Sequence, residues 1–378
     1  GGETVTDAVM EAIVAGHLCL DIIPQFPIDA GAELSAYLAP GRLAEVGPML
    51  LSTGGSVANT GLNLARLGVD TRLMGKIGQD LFGAAILDLV RRHGPELAEA
   101  MIVAPGETSS YTVVINPPHI DRIFLHCPGA NHTFGADDVR YDMVAQARVF
   151  HFGYPPLMGR FYADQGRELV EMLRRARTTG VTTSVDMVMP DPAGPSGQVD
   201  WLAVMRRAMP HVHIFVPSVE EWLFMVDRAR FDHLSATVGP ERMLWSLAED
   251  EIRALAGRAL ELGARVVLLK LGERGLYLRT GAVQELGRGG PGDLGPWRER
   301  ELWQPAFRPD AVVGTTGAGD ATIAGFLAAL LRGAPPERAL AVAAAVGASS
   351  VEAADALSGV QSFDDTVARI DAGWATMT

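Results

Sequence analysis

The chain has 378 residues, a formal net charge of −13 and 48% apolar residues, a length that suits one α/β domain carrying a smaller appendage. No run of about eighteen apolar residues occurs, which excludes a membrane-spanning helix, and the absence of a basic tract or zinc-type Cys/His spacing argues against a nucleic-acid surface. Cys19 and Cys127 are the only cysteines; they form no disulfide framework and suit a reducing cytosol. The opening GGETVTDAVM lacks the charged and apolar regions of a signal peptide, and its Gly-Gly start reads as a cloning remnant.

In chain order, short apolar runs alternate with longer stretches of helical period. AIVAG (12 to 16), ARVFHFG (147 to 153), TTSVDMV (182 to 188), VHIFVP (212 to 217) and RVVLLK (265 to 270) read as buried strands. Helices are expected over 80 to 93, 160 to 179, 246 to 262, 319 to 332 and 337 to 352. The alternation predicts an α/β fold, a central mostly parallel sheet with helices on both faces, in a single domain over 1 to 378. Two pieces break the rhythm: residues 20 to 52, rich in Pro, Gly and Ala, and residues 107 to 127, two strand-like runs around an NPPH turn. Together they predict a small discontinuous β sheet that serves as a lid. Residues 281 to 305, with six Gly and three Pro, read as a surface loop between strands.

The stretch VVGTTGAGDATIAGFLAALLRG (312 to 333) places Gly317, Ala318 and Gly319 directly ahead of Asp320. After Asp320 the apolar residues Ile323, Phe326, Leu327, Leu330 and Leu331 form a helical stripe, while the AVV before Gly314 reads as a strand. Amides at such a strand-to-helix turn have no intrahelical acceptor and form an anion site with the helix dipole. An acid there suits phosphoryl transfer to an alcohol, in which a carboxylate takes the hydroxyl proton beside an anion hole; alternatively Asp320 is a plain helix cap. STGGSVANTGLNLARLG (52 to 68) repeats the layout with Gly54, Gly55, Ser56 and Asn59, a set suited to a polyhydroxy ligand or to capping alone. GKIGQDLFG (75 to 83) follows, with Asp80 as a helix-capping residue.

GGSVANTGLNLARLG, GKIGQDLFG and TTGAGDATIAGF, in this order, resemble the two signatures of the ribokinase-like (PfkB) carbohydrate kinase family. The likeness runs from VAGHLCLD near the start to the Ala-rich helix at 337 to 352. It implies a ribokinase-like fold, ATP and Mg²⁺ as cofactors, and transfer of the γ-phosphate to a hydroxyl of a sugar, nucleoside or similar small molecule. It further implies that Asp320 is the general base, with the Gly317, Ala318 and Gly319 amides as anion hole. Asp21, Gly54, Gly55, Ser56 and Asn59 match the acceptor contacts. KLGERG (270 to 275) resembles the turn beside the nucleotide, with Gly272 and Gly275 admitting ATP, Thr316 adjoining it, and Lys270 either steadying a phosphate or ending a strand. VPSVEEW (216 to 222) resembles the element that organises magnesium, with Glu221 at its acidic position.

Three departures bear on specificity. Ser218 stands where the magnesium element usually has Asn, Gly314 stands where an Asp often contributes to a monovalent-cation site, and Cys19 precedes Asp21 where some sugar-specific members carry a hydrogen-bonding residue. Potassium activation is therefore not expected. Ser56 replaces the Lys common in members that act on phosphorylated sugars, which favours an unphosphorylated acceptor. Tyr111, Phe124 and Tyr154 are aromatic candidates for stacking on a nucleoside base or for ordinary packing, and Asp186 either orients a ligand or caps a loop. The alternatives to a sugar kinase are a nucleoside kinase and a catalytically silent sugar or nucleotide sensor. A dinucleotide-binding dehydrogenase is disfavoured, since GHLCLD rather than Gly-x-Gly-x-x-Gly follows the first strand. Exposed lid edges favour pairing with a second copy.

Overall fold

The computed structural model describes residues 10–27, 39–117 and 122–377. The centre is an eight-stranded sheet in the order Glu301–Gln304, Leu276–Thr280, Val266–Lys270, Ile214–Phe215, Thr182–Val185, Val149–Gly153, Ala12–Gly16, Thr71–Met74. Every neighbouring pair from Val266–Lys270 to Thr71–Met74 is parallel, and the first two strands add antiparallel at one edge. The buried runs give these strands their two apolar faces. Val14, Ile214, Val266 and Leu268 join one core with the helices Ser56–Arg66, Ala318–Leu331 and Pro336–Ser350. Ile13, Phe152, Phe215, Val267 and Leu269 face the other, under Gly159–Thr178, Trp201–Ala208 and Glu249–Leu262. Side chains alternate across a strand, so a continuous apolar run feeds both layers.

Because the central strands run parallel, their carboxyl ends lie along one rim. Lys270, Ser218, Asp186, Tyr154 and His17 end or follow five adjacent strands there, and such a rim is where open α/β sheets bind ligands.

A second sheet has four strands in the order Gly47–Gly54, Cys19–Gln25, Tyr111–Ile115, Ile123–Cys127. Its registers pair Asp21 with Ser52 and with Thr112, and Thr112 with His126. These four side chains therefore form one row across the sheet. Residues 28–38 of the expected lid, and Pro118 and His119 of the expected turn, lie outside the described residues.

Several elements differ from the sequence reading. Residues 311 to 313 are not a strand; Val312 and Val313 are exposed, and the chain reaches Gly317 as a loop held by bonds from the Val313 and Gly314 amides to the Val351 carbonyl. Residues 281 to 305 are more than a surface loop: Glu301–Gln304 is the sheet's edge strand, and Val283, Leu286 and Trp297 are buried. Their Gly and Pro content hid a short strand and three apolar plugs. The expected helix 246 to 262 begins at Glu249, as Glu249–Leu262, and a separate helix Pro240–Ser246 that the sequence reading did not expect precedes it; the edge strand Thr71–Met74 likewise had no counterpart in the sequence reading. Helix Ala318–Leu331 is buried on every side from Asp320 onward rather than along a stripe. It lies between Ser56–Arg66 and Pro336–Ser350, with Phe326 edge-on to Trp297. Gly325 permits this, because a Cβ there would stand 2.9 Å from Val346 and 3.0 Å from the Ala343 backbone.

Candidate active site

A cavity of about 500 Å³ opens at the strand-end rim, and Tyr154, Asp186, Glu221, Lys270, Gly317 and Asp320 are among its lining residues. Gly317, in left-handed backbone at φ 77°, turns the chain into helix Ala318–Leu331. A side chain at this position would collide with the Ala356 Cβ at 2.3 Å, so space as well as torsion requires glycine. The Gly319 and Asp320 amides have no acceptor among the described residues, whereas the Ala318 amide bonds the Thr315 carbonyl at 3.3 Å. Open helix-start donors of this kind attract an anion.

Asp320 is 2% exposed. Its Oδ2 accepts from Tyr154 Oη at 2.7 Å and from Asn59 Nδ2 at 3.0 Å, and its Oδ1 accepts from Thr60 Oγ1 at 3.4 Å. Burial raises the carboxyl above its ordinary range, while Lys270 and these three donors pull it back. A carboxylate so placed can take a proton from an alcohol next to an anion site.

Lys270 Nζ contacts Asp186 Oδ1 at 2.7 Å. Burial works to lower the ammonium, but Asp186 and Glu221 outweigh it and the Lys270 pKa is raised. Asp186 is pushed upward by burial against the pull of Lys270; a contact this short between these groups is that of a charge pair. Its Oδ2 is buried without a hydrogen-bond partner among the described residues. Ser218 and Glu221 form a reciprocal helix cap: Glu221 Oε2 accepts from the Ser218 amide at 2.8 Å and Ser218 Oγ from the Glu221 amide at 3.3 Å. The sequence reading of Ser218 as a departure at a metal position is thus joined by a local structural job. Burial raises Glu221 as well.

Four carboxyl groups, Asp186, Glu220, Glu221 and Asp320, outnumber the single Lys270 ammonium in the cavity lining, an excess a polyphosphate would avoid without a cation. Among the described residues no group of three or more His, Cys, Asp or Glu could cage a metal. Magnesium rarely needs such a cage, since it keeps waters and uses one or two carboxylates with substrate phosphates. The orphaned Asp186 oxygen and Glu221 fit that requirement.

The second Gly-rich turn leads to the small sheet. Gly55, at φ 89°, starts helix Ser56–Arg66, and a Cβ on it would stand 2.5 Å from His17 Nδ1. A Cβ on Gly54 would meet Asp21 Oδ2 at 2.4 Å. Asp21 accepts from Cys19 Sγ at 3.3 Å; Thr112 Oγ1 lies 3.7 Å from that sulfur and 2.9 Å from His126 Nδ1, and the His126 and His17 Nε2 atoms are 3.5 Å apart. Burial raises Asp21 and lowers both imidazoles, His17 to about 3. The His17 and Tyr154 ring centroids are 6.1 Å apart, so contacts run from His126 through His17 and Tyr154 to Asp320.

Other candidates fall elsewhere. Ser56 is fully buried, its Oγ has no hydrogen-bond partner among the described residues, and its Cβ lies where a side chain on Gly153 would go, so it points into the core. Gly272 lines the cavity at φ 50°. Gly275 is glycine for another reason: a Cβ there would sit 2.0 Å from the Gln304 carbonyl oxygen of the edge strand. Thr316 is exposed, and Arg122 beside the small sheet donates to its hydroxyl at 2.7 Å. Asn59 is engaged with Asp320. Tyr111 packs edge-on against Phe82, and Phe124 is exposed. His17, Thr112, His126 and Arg122 were missed; only cross-strand register and strand-end adjacency bring them to the site, and no local motif marks them.

Tyr154 carries a further signal. It is a non-glycine residue at φ 66°, ahead of Pro155 and Pro156. Left-handed backbone costs an L-residue roughly 1–2 kcal/mol, and such strain gathers at functional sites.

The fold with its rim site defines the ribokinase-type class. Fructokinase of Xylella fastidiosa with bound ATP superposes at a TM-score of 0.69 and 19% identity, covering 96% of this chain and 99% of that one. Ribokinase of Arabidopsis thaliana complexed with ribose and ATP gives 0.67 and 19%, covering 95% and 98%. The family model for pfkB family carbohydrate kinases matches residues 19–362, and the chain belongs to that family. An uncharacterized sugar kinase of Archaeoglobus fulgidus is 26% identical over 274 residues, 72% of this chain and 87% of that protein.

Proposed function

We propose that the protein transfers the γ-phosphate of ATP to a hydroxyl of an unphosphorylated sugar. The observation that carries this reading is the buried Asp320 carboxylate beside the open Gly319 and Asp320 amides, in one cavity with Lys270, Asp186 and Glu221. Asp320 takes the acceptor's proton as its oxygen attacks the γ-phosphorus, and ADP leaves. The helix-start amides hold the transferring oxygens. Lys270 and Gly272 face the donor. Asp186 and Glu221 would hold the magnesium ion, which supplies charge neutralisation of the phosphates.

The acceptor side is the row Ser52, Asp21, Thr112 and His126 with Gly54 and Gly55. Asp21 repels an acceptor phosphate, while the row's donors and acceptors suit hydroxyls. This replaces the argument from Ser56, whose side chain is in the core. The small sheet acts as a lid that excludes water; Arg122 to Thr316 is one contact between them. Phe124 is two residues from His126 on the same face and 58% exposed. It gives a second reading, a nucleoside acceptor, its stacking surface.

The test is coupled ADP release with ATP and Mg²⁺ over free hexoses, pentoses, phosphosugars and adenosine, with mass analysis of the product. A phosphorylated free sugar is the expected result. Turnover restricted to phosphosugars overturns the acceptor assignment, and no acceptor-dependent ADP with any compound overturns the kinase reading.

A further inference from the structure

Asn59 and Thr60 approach Asp320 from helix Ser56–Arg66, and neither is part of the cavity lining. Tyr154 does line the cavity, and its phenol is the donor that reaches Asp320 from that side, at 2.7 Å on Oδ2. An acceptor hydroxyl must reach the same carboxylate from the cavity, because the open helix-start amides that would hold the phosphoryl group are there. The phenol is itself an O–H donor, at the short distance of a bond to a carboxylate. Contacts also link it to the row that includes Asp21: the His17 ring lies 6.1 Å from the Tyr154 ring by centroid, and His17 Nε2 is 3.5 Å from His126 Nε2.

We infer that the Tyr154 hydroxyl occupies the acceptor hydroxyl's seat on Asp320 until the acceptor arrives, and so keeps water from being activated against the phosphate donor. The inference rests on the phosphotransfer reading. The step it suppresses is ordinary hydrolysis: water gives a proton to Asp320, its oxygen bonds the γ-phosphorus, the bond to the β–γ bridging oxygen breaks, and ADP and inorganic phosphate leave. With the Tyr154 phenol and the Asn59 amide both bonded to Oδ2, that oxygen has no acceptor site left for a water. On acceptor binding the left-handed turn at 154, held by Pro155 and Pro156, releases the ring. Tyr154 is a positioning residue here, acting through the base.

The experiment uses the full chain with ATP and Mg²⁺ and reads two rates, phosphate release without acceptor and phosphoryl transfer to the acceptor found above. In Tyr154→Phe the ratio of hydrolysis to transfer rises about tenfold, the scale of one lost hydrogen bond. An unchanged ratio overturns the inference. Should the Phe variant lose its cooperative melt, Tyr154→Asn is read instead, since Asn tolerates left-handed backbone and lacks the phenol. A structure with acceptor bound gives an independent reading: the phenol leaves Oδ2, and a phenol still bonded there overturns the seat. Failure of the kinase reading is distinct, because wild type then transfers phosphate to no acceptor.

Discussion

The two Gly-rich turns share a layout, glycines ahead of a helix, yet they are put to different uses. Each ends in a left-handed glycine, Gly55 at φ 89° and Gly317 at φ 77°, that starts a helix without a side-chain cap. The helices they start pack against each other, and Asn59 of one bonds Asp320 of the other. At the first turn the Val57 amide is taken by the His17 carbonyl, the Ser56 and Ala58 amides have no acceptor among the described residues, and the Ser56 side chain is sunk in the core. At the second, the Ala318 amide is taken and the Gly319 and Asp320 amides are open, but here Gly317, Gly319 and Asp320 line a cavity. A glycine turn ahead of a helix is thus a frame, and whether a cavity opens beside its amides decides whether an anion can reach them.

The largest effect should come from removing the acid that separates the two turns. Asp320→Asn is expected to lower phosphoryl transfer by about 10²–10⁴, the range for a general base, while ATP binding by calorimetry is retained; near-normal turnover would deny Asp320 that role. Next come the two glycines. Gly317→Ala and Gly55→Ala both meet atoms within 2.5 Å from left-handed backbone, and each should lose about 1–3 kcal/mol in denaturant titration. Their kinetics should diverge, with Gly317→Ala cutting kcat and Gly55→Ala raising KM for the acceptor. Equal effects on both constants would mean that the turns are not specialised.

Asn59→Leu cuts the bridge between the turns and should reduce kcat about tenfold, as one bond to a carboxylate is lost, with ATP affinity unchanged. The smallest expected effect concerns His17, lodged behind Gly55. Folding holds its pKa near 3, whereas the unfolded chain takes up that proton below about 6.5. The folded state is therefore favoured above that pH and loses ground as pH falls toward 3. His151 and His213, held near 3 and 4, act in the same direction. The raised carboxyls of Asp21, Asp186, Glu221 and Asp320 act the opposite way, so the check is a difference: between pH 7 and 5 the wild type should lose a few degrees of melting temperature relative to His17→Gln; identical slopes would locate the titration elsewhere.

Continuous apolar runs announced five of the central strands, since burial on both faces demands them. The strand at 301 to 304 was masked by its Gly- and Pro-rich surroundings, and 311 to 313 mimicked a strand although it lies exposed. Asp320, Lys270, Gly272 and Glu221 were legible because their order along the chain follows a phosphotransfer pattern, and the structure gathers them around one cavity. Ser56 and Gly275 belonged to the same pattern but answer to packing. Tyr154 was legible only as an aromatic residue, because nothing local links it to a residue 166 positions away.

What the sequence determined by itself is therefore what local chemistry can carry: where strands and helices alternate, which turns need glycine, and which acid precedes a helix. Tertiary structure alone decided which amides stay open, which hydroxyl faces the acid, and which side chains form the row beside Asp21. Those depend on the parallel order of the strands and the register of the small sheet, and both are set by contacts between residues far apart in the chain.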